Sequence, residues 1–115
     1  MTDPADQDLT DRYRAALQAE RAALIAASEQ TEGGRKPVTL DQTMVGRLSR
    51  MDAMQGQAMA AAVEVRRHGR IRAIDAALGR MDEGEFGWCA DCGGFIGFGR
   101  LDSDATVMRC ISCAS

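Results

Sequence analysis

Four cysteines within the last 27 residues are the side chains of this sequence best suited to chemistry. They form two Cys-x-x-Cys pairs, Cys89 with Cys92 and Cys110 with Cys113, and seventeen residues separate the pairs. Two such pairs at this spacing are typical of a zinc site, in which each pair lies on a tight turn and four thiolates surround one Zn²⁺ ion. Because four cysteines fill a tetrahedral coordination sphere, no position remains for water or substrate. We therefore predict one structural zinc ion per chain.

Disulfides and a redox centre are the main alternatives for these cysteines. Disulfides suit small secreted domains, but the acidic N-terminus lacks the apolar stretch of a signal peptide. A redox Cys-x-x-Cys motif accompanies a βαβ pattern, which this sequence does not have. The sequence also offers no nucleophile–base pair and no open metal position, so we do not expect an enzyme.

Composition limits the possible classes of protein further. The chain has 115 residues, a formal net charge of −3 and only 4% aromatic residues. No apolar run approaches the roughly 20 residues that a membrane helix needs. An acidic protein is also poorly suited to non-specific nucleic-acid binding, which depends on neutralising phosphates. We expect a cytoplasmic monomer that neither enters a membrane nor recognises a DNA sequence directly.

Helical periodicity accounts for most of the sequence ahead of the cysteines. One helix is predicted over about 8–31 and a second over about 39–82, with a tip between them at about 31–41. A short connection makes two such helices antiparallel neighbours. The expected fold class is mainly α: a long antiparallel two-helix coiled-coil hairpin at 1–82, followed by a small four-cysteine zinc finger at 83–115.

Apolar residues in a 4,3 rhythm predict which face of the second helix packs against the first. The first part of this rhythm consists of Met44, Leu48, Met51, Ala58, Ala62 and Val65. The second part, in a shifted phase, consists of Ile71, Ile74, Leu78 and Met81. The change of phase near Gly69 is interpreted as a stutter in the coiled coil. The predicted stripe on the first helix consists of Leu9, Tyr13, Leu17 and Leu24.

The residues around the cysteines follow a longer pattern. It runs Gly-aromatic-Cys-x-x-Cys-Gly-x-x-Ile, then three residues, Arg-Leu, eight residues and a second Cys-x-x-Cys, and it extends here from Gly87 to Cys113. In this the chain resembles the DksA/TraR family of bacterial regulators. The resemblance implies a transcription regulator of the stringent response that binds RNA polymerase directly through the secondary channel. The coiled-coil tip would then lie near the active centre and modulate initiation, with the nucleotide ppGpp as a candidate ligand.

The predicted tip of the hairpin departs from the family pattern. Relatives carry Asp-x-x-Asp-x-Ala at the tip, whereas the turn here reads Asp-Gln-Thr-Met-Val-Gly from Asp41 to Gly46. Asp41 is our candidate for the tip residue that approaches the polymerase active centre. The alternative is an ordinary acid in the first turn of a helix, where the helix dipole favours negative charge.

Two groups of arginines are further candidates. A basic segment ahead of the finger either contacts an acidic polymerase surface or ppGpp phosphates, or is a solvated helix face; it contains Arg66, Arg67, Arg70 and Arg72. Arg100 and Arg109 lie near the cysteines, where they would offset the negative charge of a zinc–thiolate cluster and donate hydrogen bonds beside it. His68, the single histidine, is not needed as a ligand beside four cysteines.

Two other functions are compatible with the sequence. One is a zinc-ribbon module that binds nucleic acid, with low and steeply salt-dependent affinity. The other is a thiol redox sensor in which oxidation releases zinc and unfolds the finger. The second could coexist with regulation of the polymerase.

Overall fold

The computed structural model describes residues 5–31 and 47–114, and these ranges contain four helices. The helices are α1 (Asp6–Gln30), α2 (Arg47–Glu83), α3 (Phe98–Ser103) and α4 (Ile111–Ala114). Extended pairing in the described ranges is limited to one isolated antiparallel bridge, between Trp88 and Phe95. The mainly α fold class, with a helical hairpin followed by a four-cysteine module, is therefore confirmed.

Some of the predicted features lie outside the described residues. The tip at 31–41 does so from residue 32 onward, and with it the candidate Asp41. Among the described residues, no helix combines the length and apolar character needed to cross a membrane.

The two long helices run antiparallel, as their ion pairs show. Arg14 pairs with Asp82 at 3.1 Å and Arg21 pairs with Asp75 at 2.6 Å, so residue numbers rise along α1 as they fall along α2. The chain divides into two compact units. We call residues 1–22 with 71–115 the finger unit, and residues 23–70 the hairpin unit.

A glycine ends α2 at the point where the finger begins. Gly84 has a φ of +74°, a left-handed conformation that glycine adopts without a steric penalty. The Glu85 N–H donates to the Arg80 carbonyl at 2.8 Å, and the Gly84 N–H donates to the Met81 carbonyl at 3.3 Å. This pair of bonds is a Schellman motif, which satisfies carbonyls that the end of the helix would otherwise leave without partners.

The core of the finger unit is apolar. Its three fully buried large side chains come from three helices: Leu9 of α1, Ile74 of α2 and Leu101 of α3. Burying a side chain of this size contributes roughly 1.5–3 kcal/mol. Its other buried apolar residues are Tyr13, Leu17, Ala77, Met81, Phe86, Cys89 and Ile96.

The hairpin unit has a different interior from the one predicted. Met51 and Val65, assigned to the helix–helix seam, are 49% and 68% exposed. Partly or fully buried positions instead follow one uninterrupted 4,3 register along α2, which also removes the need for a stutter near Gly69. Its members are Ala53, Gln57, Ala60, Glu64, Arg67, Ile71, Ile74, Leu78 and Met81. The predicted phase was wrong between 51 and 65 because two of the four seam positions there, Gln57 and Glu64, are polar, and an apolar pattern does not include them.

Candidate metal centre

The first Cys-x-x-Cys pair lies on a turn that backbone hydrogen bonds hold closed. The Cys89 N–H donates to the Gly94 carbonyl at 2.8 Å, and the Gly93 N–H donates to the Cys89 carbonyl at 2.9 Å. Gly93 has a φ of +75°, which side-chain-bearing residues rarely adopt. The turn therefore requires the glycine that follows Cys92.

The second pair lies where α4 begins. The N–H groups of Cys113 and Ala114 donate to the Cys110 carbonyl at 3.1 and 3.0 Å. A backbone bond joins the two turns directly, since the Ala90 N–H donates to the Met108 carbonyl at 2.8 Å. The two pairs are thus held face to face by the main chain.

The four sulfur atoms form a compact cluster. All lie within 4.8 Å of one another, and the Sγ atoms of Cys92 and Cys110 are 3.8 Å apart. A tetrahedron with zinc–sulfur bonds of about 2.3 Å has sulfur–sulfur edges of about 3.8 Å. A disulfide would need about 2.05 Å, and none of the four cysteines forms one. The structure therefore brings all four predicted ligands together, at a spacing suited to a metal ion.

The thiols in this cluster compete for protons. Backbone N–H groups of Cys110 and then Cys92 lower the pKa of Cys89 to about 6. Hydrogen bonds with the thiols of Cys110, Cys89 and Cys92 raise the pKa of Cys113 to about 12. The Gly94 N–H lowers the pKa of Cys92, but its bonds with neighbouring thiols outweigh this and the net direction is upward. The Cys89 thiolate forms readily, whereas Cys92 and Cys113 resist ionisation, so full deprotonation calls for a bound cation.

Both arginines predicted to lie beside the cluster contact the residues around it. The Arg100 Nε donates to the carbonyl of Arg109 at 2.9 Å, one residue before Cys110. The Arg109 Nε lies 3.2 Å from a carboxylate oxygen of Asp91, which is between the first two cysteines. Arg100 thus braces the second turn, and Arg109 links the second turn to the first.

A polar triad joins α1 to α3 in the finger unit, and no sequence pattern predicted it. The Tyr13 hydroxyl donates to Asp102 at 2.7 Å, and the Arg12 guanidinium binds the same carboxylate at 2.9 Å. Burial, followed by the bond with Asp102, raises the pKa of Tyr13 to about 12. The bonds from Tyr13 and Arg12 lower the pKa of Asp102. Because 89 residues separate Tyr13 from Asp102, no local motif could have revealed the contact.

Aromatic rings of the finger pack against one another and against Arg12 of this triad. Phe95 packs against Trp88 and against Phe98, with ring centroids 5.6 and 5.1 Å apart. The guanidinium of Arg12 lies 4.5 Å from the centroid of Phe98. The Trp88 indole donates to Asp6, one of the N-terminal acids, at 3.1 Å. The start of α1 is thus part of the structure that supports the cysteines.

The predicted basic segment does not form one uniform face. Arg66 and Arg72 are exposed. Arg67 belongs to the seam, where it donates to Thr31 at 2.9 Å and to Glu64 at 3.3 Å. Arg70 is half-buried. Only part of the segment is therefore presented for an external contact.

The buried carboxylate of the hairpin unit is a further site that sequence reasoning missed. Glu64 is 7% exposed, and it binds Arg67, His68 and the Ser28 hydroxyl. The His68 Nε2 lies 2.7 Å from its carboxylate, and His68 itself remains 57% exposed. Buried charges are found where several partners satisfy them, so Glu64 is a specific pairing point between the two helices.

The fold and the cysteine cluster define a class: a helical hairpin joined to a finger with a four-thiol metal site. Haemophilus influenzae has a relative named RNA polymerase-binding transcription factor DksA. It is 40% identical to this chain over 43 residues. That match covers 37% of this chain and 30% of the relative.

A structural neighbour extends the similarity along the chain. Transcription factor DksA2 from Pseudomonas aeruginosa superposes with a TM-score of 0.77 and 25% identity, over 95% of this chain and 82% of that one. No protein-family model matches the chain. The sequence match and the structural match together support a protein of the DksA/TraR family.

Proposed function

We propose that this protein is a transcription regulator that binds RNA polymerase. The observation that carries the proposal is the superposition on DksA2 over 95% of the chain, together with the partial identity to a DksA named for polymerase binding. On this proposal the hairpin enters the secondary channel of the polymerase, and its tip modulates initiation near the active centre. Asp41 is the proposed tip residue, and ppGpp is a proposed co-regulator.

The metal in the finger is proposed to be zinc with a structural role. The donor set is four cysteine thiols, which suit Zn²⁺ and leave no open coordination position when all four bind. Residues Cys89, Cys92, Cys110 and Cys113 would hold the ion, which would supply folding free energy rather than catalysis. Arg100 and Arg109 would maintain the two turns as they do here.

Purified polymerase provides the direct test. We expect the zinc-loaded protein to co-purify with RNA polymerase, to compete for it with the Haemophilus influenzae DksA that is named for polymerase binding, and to change transcription from a ribosomal promoter in vitro. Failure both to bind the polymerase and to alter transcription would refute the proposal.

The tip residue is tested separately. Asp41→Asn is expected to retain polymerase binding and to lose most of the effect on transcription, and Glu29→Gln on the exposed surface of α1 is the matched control. An Asp41→Asn protein with full regulatory activity would remove the tip assignment while leaving the binding proposal intact. Repeating both assays with and without ppGpp tests the co-regulator.

A further inference from the structure

The face of α2 that points away from the seam carries exposed thioether side chains within the hairpin unit. Met51, Met54 and Met59 are 49%, 62% and 70% exposed, and we call them the methionine face. Their neighbours on this side of the helix include Ala58 and Ala62, which are exposed themselves and too short to cover a long thioether side chain. A reagent dissolved in water can therefore reach the methionine face without any opening of the hairpin.

The methionine face and the seam lie on opposite sides of α2. With 3.6 residues per turn, the centres of the two sets of residues are roughly half a turn apart around the helix axis. The seam in this stretch includes Gln57 and Glu64, and Glu64 is only 7% exposed. A chemical change on the methionine face therefore leaves the contacts between α1 and α2 in place.

Two other methionines provide a comparison within the same chain. Met81 is 7% exposed and belongs to the core of the finger unit, whereas Met108 is 49% exposed, as Met51 is. Methionine is oxidised at its sulfur atom, so a reagent reaches Met81 only through local opening of the core. If exposure governs the reaction, Met108 should behave like Met51, and Met81 should react after all of the exposed methionines.

We propose that the methionine face is a reversible modification site at which hydroperoxides oxidise methionine to the sulfoxide. The thioether sulfur attacks one oxygen of the hydroperoxide, so that an S–O bond forms as the O–O bond breaks. The second oxygen takes up the hydroperoxide proton and leaves as an alcohol or as water. The sulfur is oxidised by two electrons and the hydroperoxide is reduced by two. Methionine sulfoxide reductases return the product to methionine.

Oxidation at this site changes the surface of the hairpin unit and spares its interior. Methionine is a flexible apolar side chain, and its sulfoxide is polar and chiral. Three apolar side chains on one side of α2 thus become polar, while the network at Glu64 keeps its partners. The proposal does not depend on polymerase binding, because only the exposure of the methionines and the chemistry of sulfur enter the argument.

Peptide mapping by mass spectrometry tests the proposal on the full zinc-loaded chain treated with tert-butyl hydroperoxide. We expect sulfoxide to form on the methionine face and at Met108. Met81 should react at least about tenfold more slowly, because its sulfur is reached only through local opening. Circular dichroism should show unchanged helix content, and the zinc content should stay constant over the same interval. Methionine sulfoxide reductases of both epimer specificities should then remove the oxygen as water, as the dithiol of thioredoxin becomes a disulfide.

Matched variants assign the change in polarity to this face. On a hydrophobic-interaction column, the oxidised protein should elute earlier than the reduced protein. The triple variant M51L/M54L/M59L keeps an apolar surface without sulfur, so the hydroperoxide should leave most of its retention unchanged. Met108→Leu, which removes an equally exposed methionine from the finger unit, should still show the shift of the unmodified sequence.

Several results would overturn the proposal. One is oxidation of Met81 as fast as that of Met59, because burial would then not direct the reaction. A second is loss of helix content or of zinc before the methionine face is oxidised, because the change would then not be confined to the surface. Sulfoxides that the reductases leave in place would refute reversibility. An undiminished shift in the triple leucine variant would place the change in polarity elsewhere in the chain.

Discussion

The finger unit and the hairpin unit are held together by opposite kinds of interior. Among the residues whose burial is described, every buried apolar side chain belongs to the finger unit. The buried residue of the hairpin unit is a charged one, Glu64. One unit combines apolar packing with a candidate metal site, whereas the other pairs its helices through a polar network.

The two kinds of interior contribute differently to the folded protein. The finger interior contributes mainly stability, whereas the polar network of the hairpin unit contributes mainly to the specificity with which its helices pair. Apolar burial and metal binding supply large favourable free energies. A buried carboxylate recovers little net free energy, because desolvation offsets its hydrogen bonds, but it strongly disfavours any arrangement that leaves it without partners. We therefore expect the finger unit to resist opening more than the hairpin unit does. Four perturbations test this contrast, in order of decreasing effect.

Removal of a metal ligand should have the largest effect. Structural zinc sites contribute roughly 10–16 kcal/mol in small fingers, so Cys110→Ser should abolish tight zinc binding and unfold the finger. Metal analysis and the fluorescence of Trp88, the single tryptophan, would report the change. Ala90→Ser, an exposed site on the first turn, is the matched control. A folded, zinc-bound Cys110→Ser protein would show that the cluster is not the support we describe.

Truncation of the apolar core should come next. Leu9→Ala in the finger unit is expected to cost about 2–5 kcal/mol, because it opens a cavity at a fully buried site. Val65→Ala in the hairpin unit should cost less than about 0.5 kcal/mol, since Val65 is 68% exposed. Urea unfolding followed by circular dichroism compares the two. Similar costs would contradict the distinction between the units.

Loss of the buried carboxylate should have an intermediate effect confined to the hairpin unit. Glu64→Ala leaves Arg67 and Ser28 without their shared partner, which should cost about 1–3 kcal/mol of local stability. Hydrogen exchange of the α2 amides around residue 64 measures this opening. Gln55→Ala, at an exposed position of the same helix, is the control. Unchanged exchange in Glu64→Ala would mean that the network does not hold the helices together.

Removal of the Tyr13 hydroxyl should have the smallest effect on stability. It should be visible as a change in how stability depends on pH. The pKa of Tyr13 is raised to about 12 in the folded protein, against about 10 for an unfolded tyrosine. The protonated phenol therefore stabilises the folded state fully below pH 10, and this contribution is lost as pH rises toward 12. Tyr13→Phe should flatten that alkaline decline and cost about 1 kcal/mol at neutral pH.

Absorbance provides an independent check, because Tyr13 is the single tyrosine in the chain. Its phenolate should titrate near pH 12 in the folded protein and near pH 10 in denaturant. A folded-state titration near pH 10 would show that the buried hydroxyl and its bond to Asp102 do not persist together in solution.

The sequence predicted the parts of the structure that local patterns encode. Both Cys-x-x-Cys turns depend on short spacing and on glycines such as Gly93, and the second apolar phase contains Ile74, a fully buried residue. The hairpin seam was not predictable in the same way, because Gln57, Glu64 and Arg67 occupy positions that apolar periodicity passes over.

Contacts between distant segments were likewise inaccessible to sequence reasoning. The triad of Arg12, Tyr13 and Asp102 joins residues about ninety positions apart. Individually these are ordinary helix residues, and only the folded arrangement gives them a shared role.

Gly87, the left-handed glycine before Trp88, restricts which substitutions this part of the chain can accept. Gly87 has a φ of +87°, and a Cβ atom built there would lie 2.9 Å from a methyl carbon of Leu9. Any larger residue would meet backbone strain and a steric clash together, so a compensating change at position 9 alone would not rescue it. Position 87 should therefore tolerate no other amino acid in a saturation library, whereas position 9 should accept several apolar ones. A library with unchanged cysteines would therefore still locate the finger, at the position that accepts only glycine.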